Sequence, residues 1–183
     1  MKKLFFLGLL TLAIVLFPAV GYCRVNMTIA GDEGGGGGGP DYSMYLVKAF
    51  QHIYESIDKY GTASLRLIEG ESYPYTRGQQ YTAWVYDNSL AIISLVTMGR
   101  PEDLARARLL CKTLIWAQKH DPLGFIDGRL HDSYWANNMV NPDGAAIKAP
   151  NTSTGNMAWV IIAWLRYYNY GREAVTLSSV RKF

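Results

Sequence analysis

Two long polar segments of the chain contain the side chains whose types could do chemistry. The segments 67–86 and 121–153 both mix carboxylates with aromatic rings and side-chain amides. A sugar ring has C–H faces that stack on aromatic rings, and hydroxyls that hydrogen-bond to carboxylates, amides and guanidinium groups. The mixture therefore predicts a site for an oligosaccharide or polysaccharide. The candidates for substrate contact, in or directly beside these segments, are Trp84, Tyr86, Asn88, Arg129, Tyr134 and Trp135.

Cleavage of a glycosidic bond by the usual route needs two carboxyl groups, one to protonate the leaving oxygen and one to act as base or nucleophile. Each candidate acid also has a structural interpretation. Asp87 would cap a helix that begins after it, and Asp127 precedes Gly128 in a turn signal. Glu69 and Glu71 would be solvated acids of a polar loop. Spacing alone does not pair these residues, and the catalytic candidates are Asp87, Glu69, Glu71 and Asp127.

The positions of cysteine and histidine predict no metal site and no cofactor. The two cysteines, Cys23 and Cys111, and the three histidines have no spacing that is typical of zinc ligands. We expect the histidines to be surface or capping residues. Cys111 lies in an apolar helical pattern that favours a buried thiol, and pairing with Cys23 stays open.

The balance of charge argues against a nucleic-acid partner. The chain has 18 Lys and Arg residues against 15 Asp and Glu residues, a net charge of +3. Without Lys2 and Lys3, which belong to the N-terminal segment, the net charge falls to +1. A chain so close to neutrality lacks the basic surface that phosphate backbones require.

The N-terminal segment is typical of an export signal. Lys2 and Lys3 precede the uncharged run Leu4–Phe17, which is too short to span a bilayer. Ala19 and Gly21 are small residues with the spacing that a signal peptidase prefers, which predicts cleavage after Gly21. We therefore expect a periplasmic or extracellular protein with no stable membrane span after cleavage. Lipidation of Cys23 is disfavoured because the bulky Tyr22 precedes it. The predicted division is a signal peptide at 1–21, a Gly-rich linker at 22–41, a helical domain at 42–170 and a tail at 171–183.

Four helical patterns of two kinds alternate within the predicted domain. Tyr45–Tyr60 has an apolar stripe and a polar face, whereas Asn88–Met98 is apolar almost all round. A third helix begins at Pro101 and is amphipathic, and a fourth contains the apolar run Met157–Leu165. Amphipathic and buried helices in alternation predict an all-α fold of helical hairpins in two layers.

Two strings resemble those that open inner helices in the six-hairpin glycosidase superfamily. They are Trp84-Val85-Tyr86-Asp87-Asn88-Ser89-Leu90-Ala91, followed later by Asp127-Gly128-Arg129, and Thr154-Gly155-Asn156-Met157-Ala158-Trp159. The resemblance covers roughly 81–170. It implies part of an (α/α)6 toroid and a glycoside hydrolase, with Asp87 as the carried-over site position and Trp84 and Tyr86 as stacking residues.

Four helices supply only two of the six hairpins that the resemblance implies. We therefore expect an incomplete toroid, either the N-terminal portion of a longer protein or a subunit that completes its ring by self-association. Buried-type helices without neighbours would expose large apolar patches. A second class of function stays open, a non-catalytic helical module that binds carbohydrate or another protein through the same aromatic loops.

Overall fold

The computed structural model describes residues 43–60, 65–70 and 80–171. The predicted signal peptide, linker and tail after 171, together with Cys23 and Glu71, lie outside the described residues. The chain divides into two compact units, 1–51 and 52–183. The described elements, in chain order, are α1 (Ser43–Asp58), β1 (Thr82–Trp84), α2 (Val85–Met98), α3 (Pro101–Lys119), β2 (Ser133–Trp135), β3 (Val140–Asn141), β4 (Gly144–Ala145), β5 (Ile147–Ala149) and α4 (Thr154–Gly171).

The predicted all-α fold class, with hairpins forming part of a toroid, is wrong. The four described helices are accompanied by a three-stranded and a two-stranded antiparallel sheet, so the fold is mixed α and β. All five strands lie in the segments that were predicted as loops. Each has only two or three residues, too few to show the period of two by which a strand is recognised in a sequence.

Helix α1 begins in the first unit and ends in the second. Within the first unit Phe50 is buried, whereas Met44 and Val47 are exposed. Within the second unit the helix buries Ile53 and Ile57. Buried positions spaced three and four apart confirm the predicted apolar stripe of this helix.

Helix α2 is the centre of the second unit. Ten of its residues are buried, and they occupy every side of the helix from Val85 to Val96. It packs against both α3 and α4, which confirms that this apolar sequence needs neighbours on most sides. Gly99 ends the helix in the left-handed conformation, with φ +69°, and Pro101 starts α3 directly afterwards.

Helix α4 is buried on one side only. Trp164 and Val160 are fully buried, as expected for an apolar helix, but Ile162 and Leu165 are 48% and 38% exposed. The sequence pattern predicted burial all round. The difference arises because α2 and α3 cover one flank of α4 within the described part of the second unit.

The three-stranded sheet joins the two polar segments and has the order β1-β2-β5. Both pairings are antiparallel, with Thr82 opposite Trp135 and Trp84 opposite Ser133. The short strand β1 runs directly into α2, so the sheet fixes where this helix begins. It follows that residues of both polar segments meet at the start of α2.

A buried histidine organises the second polar segment. His131 is 1% exposed, and its Nδ1 and Nε2 lie 2.7 Å and 2.8 Å from the Pro150 carbonyl oxygen and Asp121 Oδ2. These two contacts join the start of the segment at Asp121 to its last part at Pro150. The expectation of a surface or capping role is wrong for His131, whereas His120 does cap the C-terminus of α3.

Candidate functional site

The start of α2 is covered by the described segment 65–70. Asn88 holds this segment in place through its side-chain amide, which accepts from the Ile68 N–H at 2.8 Å and donates to the Ile68 carbonyl at 3.1 Å. The same amide donates to the Trp84 carbonyl at 2.9 Å. Asn88 is fully buried, so its side chain builds the wall of the site.

Gly70 brings the backbone of this segment against Asp87. Its N–H donates to the Thr82 carbonyl at 2.8 Å. A methyl group at Gly70 would lie 3.0 Å from Asp87 Oδ2 and 2.8 Å from Trp84 Cδ1. Only a residue without a side chain fits this approach unless Trp84 or the carboxyl moves, and Asp87 is thereby half-buried.

Asp87 is shielded from water without gaining a partner among the described residues. Burial raises the pKa of its carboxyl to about 6, and no charge or hydrogen bond from the described residues opposes this. Asp87 lies in the first turn of α2, but the residue that precedes the helix is Trp84, which makes no side-chain capping bond. The capping interpretation placed Asp87 before the helix, and the structure places it inside.

Asp132 joins the start of α2 to the start of α4. Its backbone carbonyl accepts from the Val85 N–H at 3.0 Å, and its Oδ1 accepts from Asn156 Nδ2 at 2.6 Å. Ser153 Oγ in turn accepts from the Asn156 N–H at 3.3 Å, which caps α4. Asp132 is thus a second acid beside the N-terminus of α2, and Asp87 lies in the first turn of the same helix.

An aromatic pair connects the same two helix ends. The rings of Tyr86 and Trp159 meet edge to face, with centroids 5.7 Å apart, a favoured geometry for aromatic rings. Tyr86 remains 37% exposed and Trp159 is half-buried. The residue directly before Asp87 in the sequence therefore presents an exposed aromatic ring.

Glu69 is fully engaged by other groups. Burial alone would raise its pKa, but bonds from Lys59, from the Tyr60 hydroxyl and from the Tyr81 N–H outweigh it and lower the pKa. The Lys59 Nζ and the Tyr81 N–H lie 2.6 Å from its two carboxylate oxygens. Glu69 thus ties the end of α1 to the turn before β1.

Asp127 and Arg129 form an exposed pair of their own. Arg129 Nε lies 2.8 Å and 2.9 Å from the two oxygens of Asp127, and its guanidinium lies over the Phe125 ring. The hydrogen bonds from Arg129 lower the pKa of Asp127. No bond in the described part of the chain connects this pair to Asp87.

The aromatic candidates of β2 have opposite environments. Tyr134 is 1% exposed, and its hydroxyl accepts from the His131 N–H at 3.1 Å. Trp135 is 38% exposed, and Lys148 Nζ lies 4.3 Å from the centroid of its ring. Trp135 is thus open to a ligand, whereas Tyr134 belongs to the core.

An open groove of about 310 Å³ lies elsewhere, between the turn after α3 and the β3–β4 hairpin. Its lining includes Leu123, Asn141 and Asp143 but none of the aromatic or acidic residues at the start of α2. Within the described residues, no three His, Cys, Asp or Glu side chains gather as metal ligands would. Over 43–60, 65–70 and 80–171, no helix combines the length and apolarity needed to span a bilayer.

Comparison with known proteins gives no match: no protein-family model, no curated protein and no solved structure is significantly similar to this chain. The chemistry of the site therefore rests on its own residues. The structure brings Trp84, Tyr86 and Asp87 together and leaves Asp127 and Arg129 apart from them.

Four residues of the site were not among the sequence candidates: Gly70, Asp132, Asn156 and Trp159. The string Thr154–Trp159 was a signal for the last two, because it resembles the string around Asp87 at the start of another apolar helix. Gly70 and Asp132 had no comparable signal. Their roles depend on backbone contacts between segments far apart in the chain.

Proposed function

We propose that this chain is an exported carbohydrate-active protein in which the start of α2 binds an oligosaccharide and Asp87 acts as the general acid of glycoside hydrolysis. The observation that carries the proposal is the position of the Asp87 carboxyl. It is half-buried against the Gly70 backbone beside Trp84, without a charged partner among the described residues. The export part rests on residues 1–21 alone.

A carboxyl group in this environment suits proton donation. A pKa of about 6 leaves roughly half of the Asp87 side chains protonated at pH 6. Such a group delivers its proton to the leaving glycosidic oxygen as the C–O bond breaks. A carboxylate held by an arginine, such as Asp127, would stay ionised and could not donate.

The aromatic rings beside Asp87 supply the binding surface. Tyr86 is exposed and packs against Trp159, and both Trp84 and the Asp87 carboxyl lie against Gly70. Rings that are fixed before binding lose little entropy when a sugar stacks on them. This agrees with the resemblance of the Trp84–Ala91 string to six-hairpin glycosidases.

Hydrolysis also needs a group that takes a proton from water, and Asp132 is our candidate for it. It shares this end of α2 through its bond to the Val85 N–H, and Asn156 occupies only one of its carboxylate oxygens in the bonds described. The other oxygen could accept a proton from the water that attacks the anomeric carbon.

A non-catalytic carbohydrate-binding module is the second candidate function. The observation that favours it is the engagement of the remaining acids, since Glu69 is held by three donors and Asp127 by Arg129. If Asp132 does not act as the base, Asp87 is the one sequence candidate among the described acids that no basic group holds, and the same aromatic surface would bind sugars without cleaving them.

The test combines a glycan array with an assay for new reducing ends, using the purified protein. Hydrolysis predicts turnover that falls at least about 100-fold in Asp87→Asn, because general acid catalysis contributes this much. Glu102→Gln, an exposed acid at the start of α3, is the matched control and should keep full activity. Binding without cleavage, unchanged in Asp87→Asn, would establish the module instead. A folded sample that binds no glycan would reject both.

A further inference from the structure

Strand β5 has one residue more than β2 over the stretch where the two strands pair. Ser133 is opposite Ala149 and Tyr134 is opposite Ile147, so Lys148 is the extra residue of a β-bulge. Bulges redirect the side chain of the inserted residue and are frequent beside active sites. Here the bulge places the Lys148 ammonium over the indole ring of Trp135, 4.3 Å from its centroid.

The Lys148 ammonium has no acidic partner in the described part of the chain. It donates a hydrogen bond to the Gln80 carbonyl, and no described carboxylate lies within 4.0 Å of it. Burial lowers the pKa of Lys148, and the charge of Glu69 opposes this only in part. Glu69 is itself paired with Lys59. A half-buried cation of this kind attracts an anion more strongly than a fully hydrated one does.

The backbone directly after Gln80, the acceptor of the Lys148 hydrogen bond, is strained. Tyr81 has φ +60°, a conformation that is costly for an aromatic residue. It is held there by Glu69 Oε1, which accepts from its N–H, and by the Ala136 N–H, which donates to its carbonyl at 2.7 Å. This turn presents the Gln80 carbonyl to Lys148.

Trp135 and Trp84 lie on the same face of the sheet. Thr82 is opposite Trp135 and Trp84 is opposite Ser133, and residues two apart in a strand share a face. Along the strand direction, Trp84 and Trp135 are two residues apart, which corresponds to about 7 Å. This distance is on the scale of one sugar unit.

We propose that Trp135 and Lys148 form a subsite for an acidic sugar, in which the indole stacks on the sugar ring and the ammonium pairs with its carboxylate. The inference rests on the proposed carbohydrate function and names the substrate class as uronate-containing oligosaccharides. A uronic acid residue has both required features in one ring, an apolar C–H face and a carboxylate.

The experiment measures binding to trimers of galacturonate, glucuronate and mannuronate, each compared with its carboxyl-reduced neutral counterpart. Calorimetry on the full chain gives both affinities. We expect at least one acidic trimer to bind about tenfold more tightly than its neutral counterpart, as one charge-assisted bond provides. Lys148→Met should abolish this preference and Lys148→Arg should retain it. Trp135→Ala should weaken both ligands.

Lys112→Met is the matched control, because Lys112 is an exposed lysine of α3 and its loss should leave the preference unchanged. Thermal unfolding of each variant shows that it folds. Equal binding of acidic and neutral trimers, or a preference that survives in Lys148→Met, would overturn the acidic subsite but leave the carbohydrate function standing. Binding of neither kind of trimer by a folded protein would overturn the subsite, and failure on the wider glycan array would remove the carbohydrate function as well.

Discussion

The acids at the start of α2 and those between α1 and α3 have opposite environments. Asp58 accepts from Arg66 and Arg106 at 2.9 Å and 2.8 Å, and Asp103 is fully buried against Arg100 and the Tyr54 hydroxyl. Asp87 has no such partner among the described residues. Arginine side chains thus pair with the two acids that lie between α1 and α3, Asp58 and Asp103.

The pKa values of Asp58 and Asp87 show what this difference means. Burial raises the pKa of Asp58, but its hydrogen bonds from Arg106 and Arg66 outweigh burial, so its net pKa is lowered. At Asp87 burial acts alone. An acid that is buried without compensation reduces stability, and such a cost is typical of functional sites.

The largest effect is expected from Asp87→Asn, and it should be stabilising. The folded state holds a proton on Asp87 up to about pH 6, whereas the unfolded chain releases it near 3.8. Stability therefore falls as the pH rises between these values, by up to about 3 kcal/mol. In urea titrations from pH 4 to 7, the Asn variant should lose this slope and exceed the wild type at pH 7. Equal pH dependence of the two proteins would contradict the unpaired state of Asp87.

Asp103→Asn should do the reverse and reduce stability by about 2 kcal/mol at pH 7. The change removes a charged acceptor from Arg100 and Tyr54 in a fully buried position, and hydrogen bonds to charged groups contribute about this much. Chemical denaturation measures the loss. Glu102→Gln at the neighbouring exposed position is the control, and a loss of equal size there would show that burial of Asp103 is not the cause.

A smaller effect, about 1 to 2 kcal/mol of destabilisation, is expected from Gly70→Ala. The added methyl group would press on Trp84 and on the Asp87 carboxyl, and overpacking costs about this amount. Water admitted by the displaced segment should lower the pKa of Asp87, so the pH dependence of stability should weaken. The double variant with Asp87→Asn tests the link, because the shift in pH dependence should vanish there.

No measurable change in melting temperature is expected from Asp127→Asn. Its ion pair with Arg129 is exposed to solvent, and pairs of this kind contribute little. Differential scanning calorimetry at low and moderate salt is the measurement. A clear loss of stability at either salt concentration would show that this pair has a structural task, unlike the carboxyl group of Asp87.

The helices were predictable from the sequence because their signals are local. Phe50, Ile53 and Ile57 repeat at helical spacing, and Gly99 with Pro101 marks the break between α2 and α3. Bounds differed by a few residues, since α2 begins at Val85 rather than at Asn88. The fraying of helix ends makes such differences common.

The strands and half of the site were not predictable because they depend on pairing between distant segments. The position of Trp84 is fixed by its strand pairing with Ser133. The burial of Asp87 results from the close approach of the Gly70 backbone. His131 likewise has no local signal, since its partners are Asp121 and Pro150. Position in the sequence identified Asp87 as a candidate, but only the folded backbone shows that it lacks a counter-charge in the described part.

The residue inserted in the β5 bulge is also the residue that carries the proposed specificity, Lys148. Lys148 is the one residue between Ile147 and Ala149, so its deletion would restore regular pairing with β2 and remove the ammonium from the Trp135 ring. The helices and the Asp87 carboxyl would be untouched. A deletion of a single codon would thus remove the proposed preference for acidic sugars.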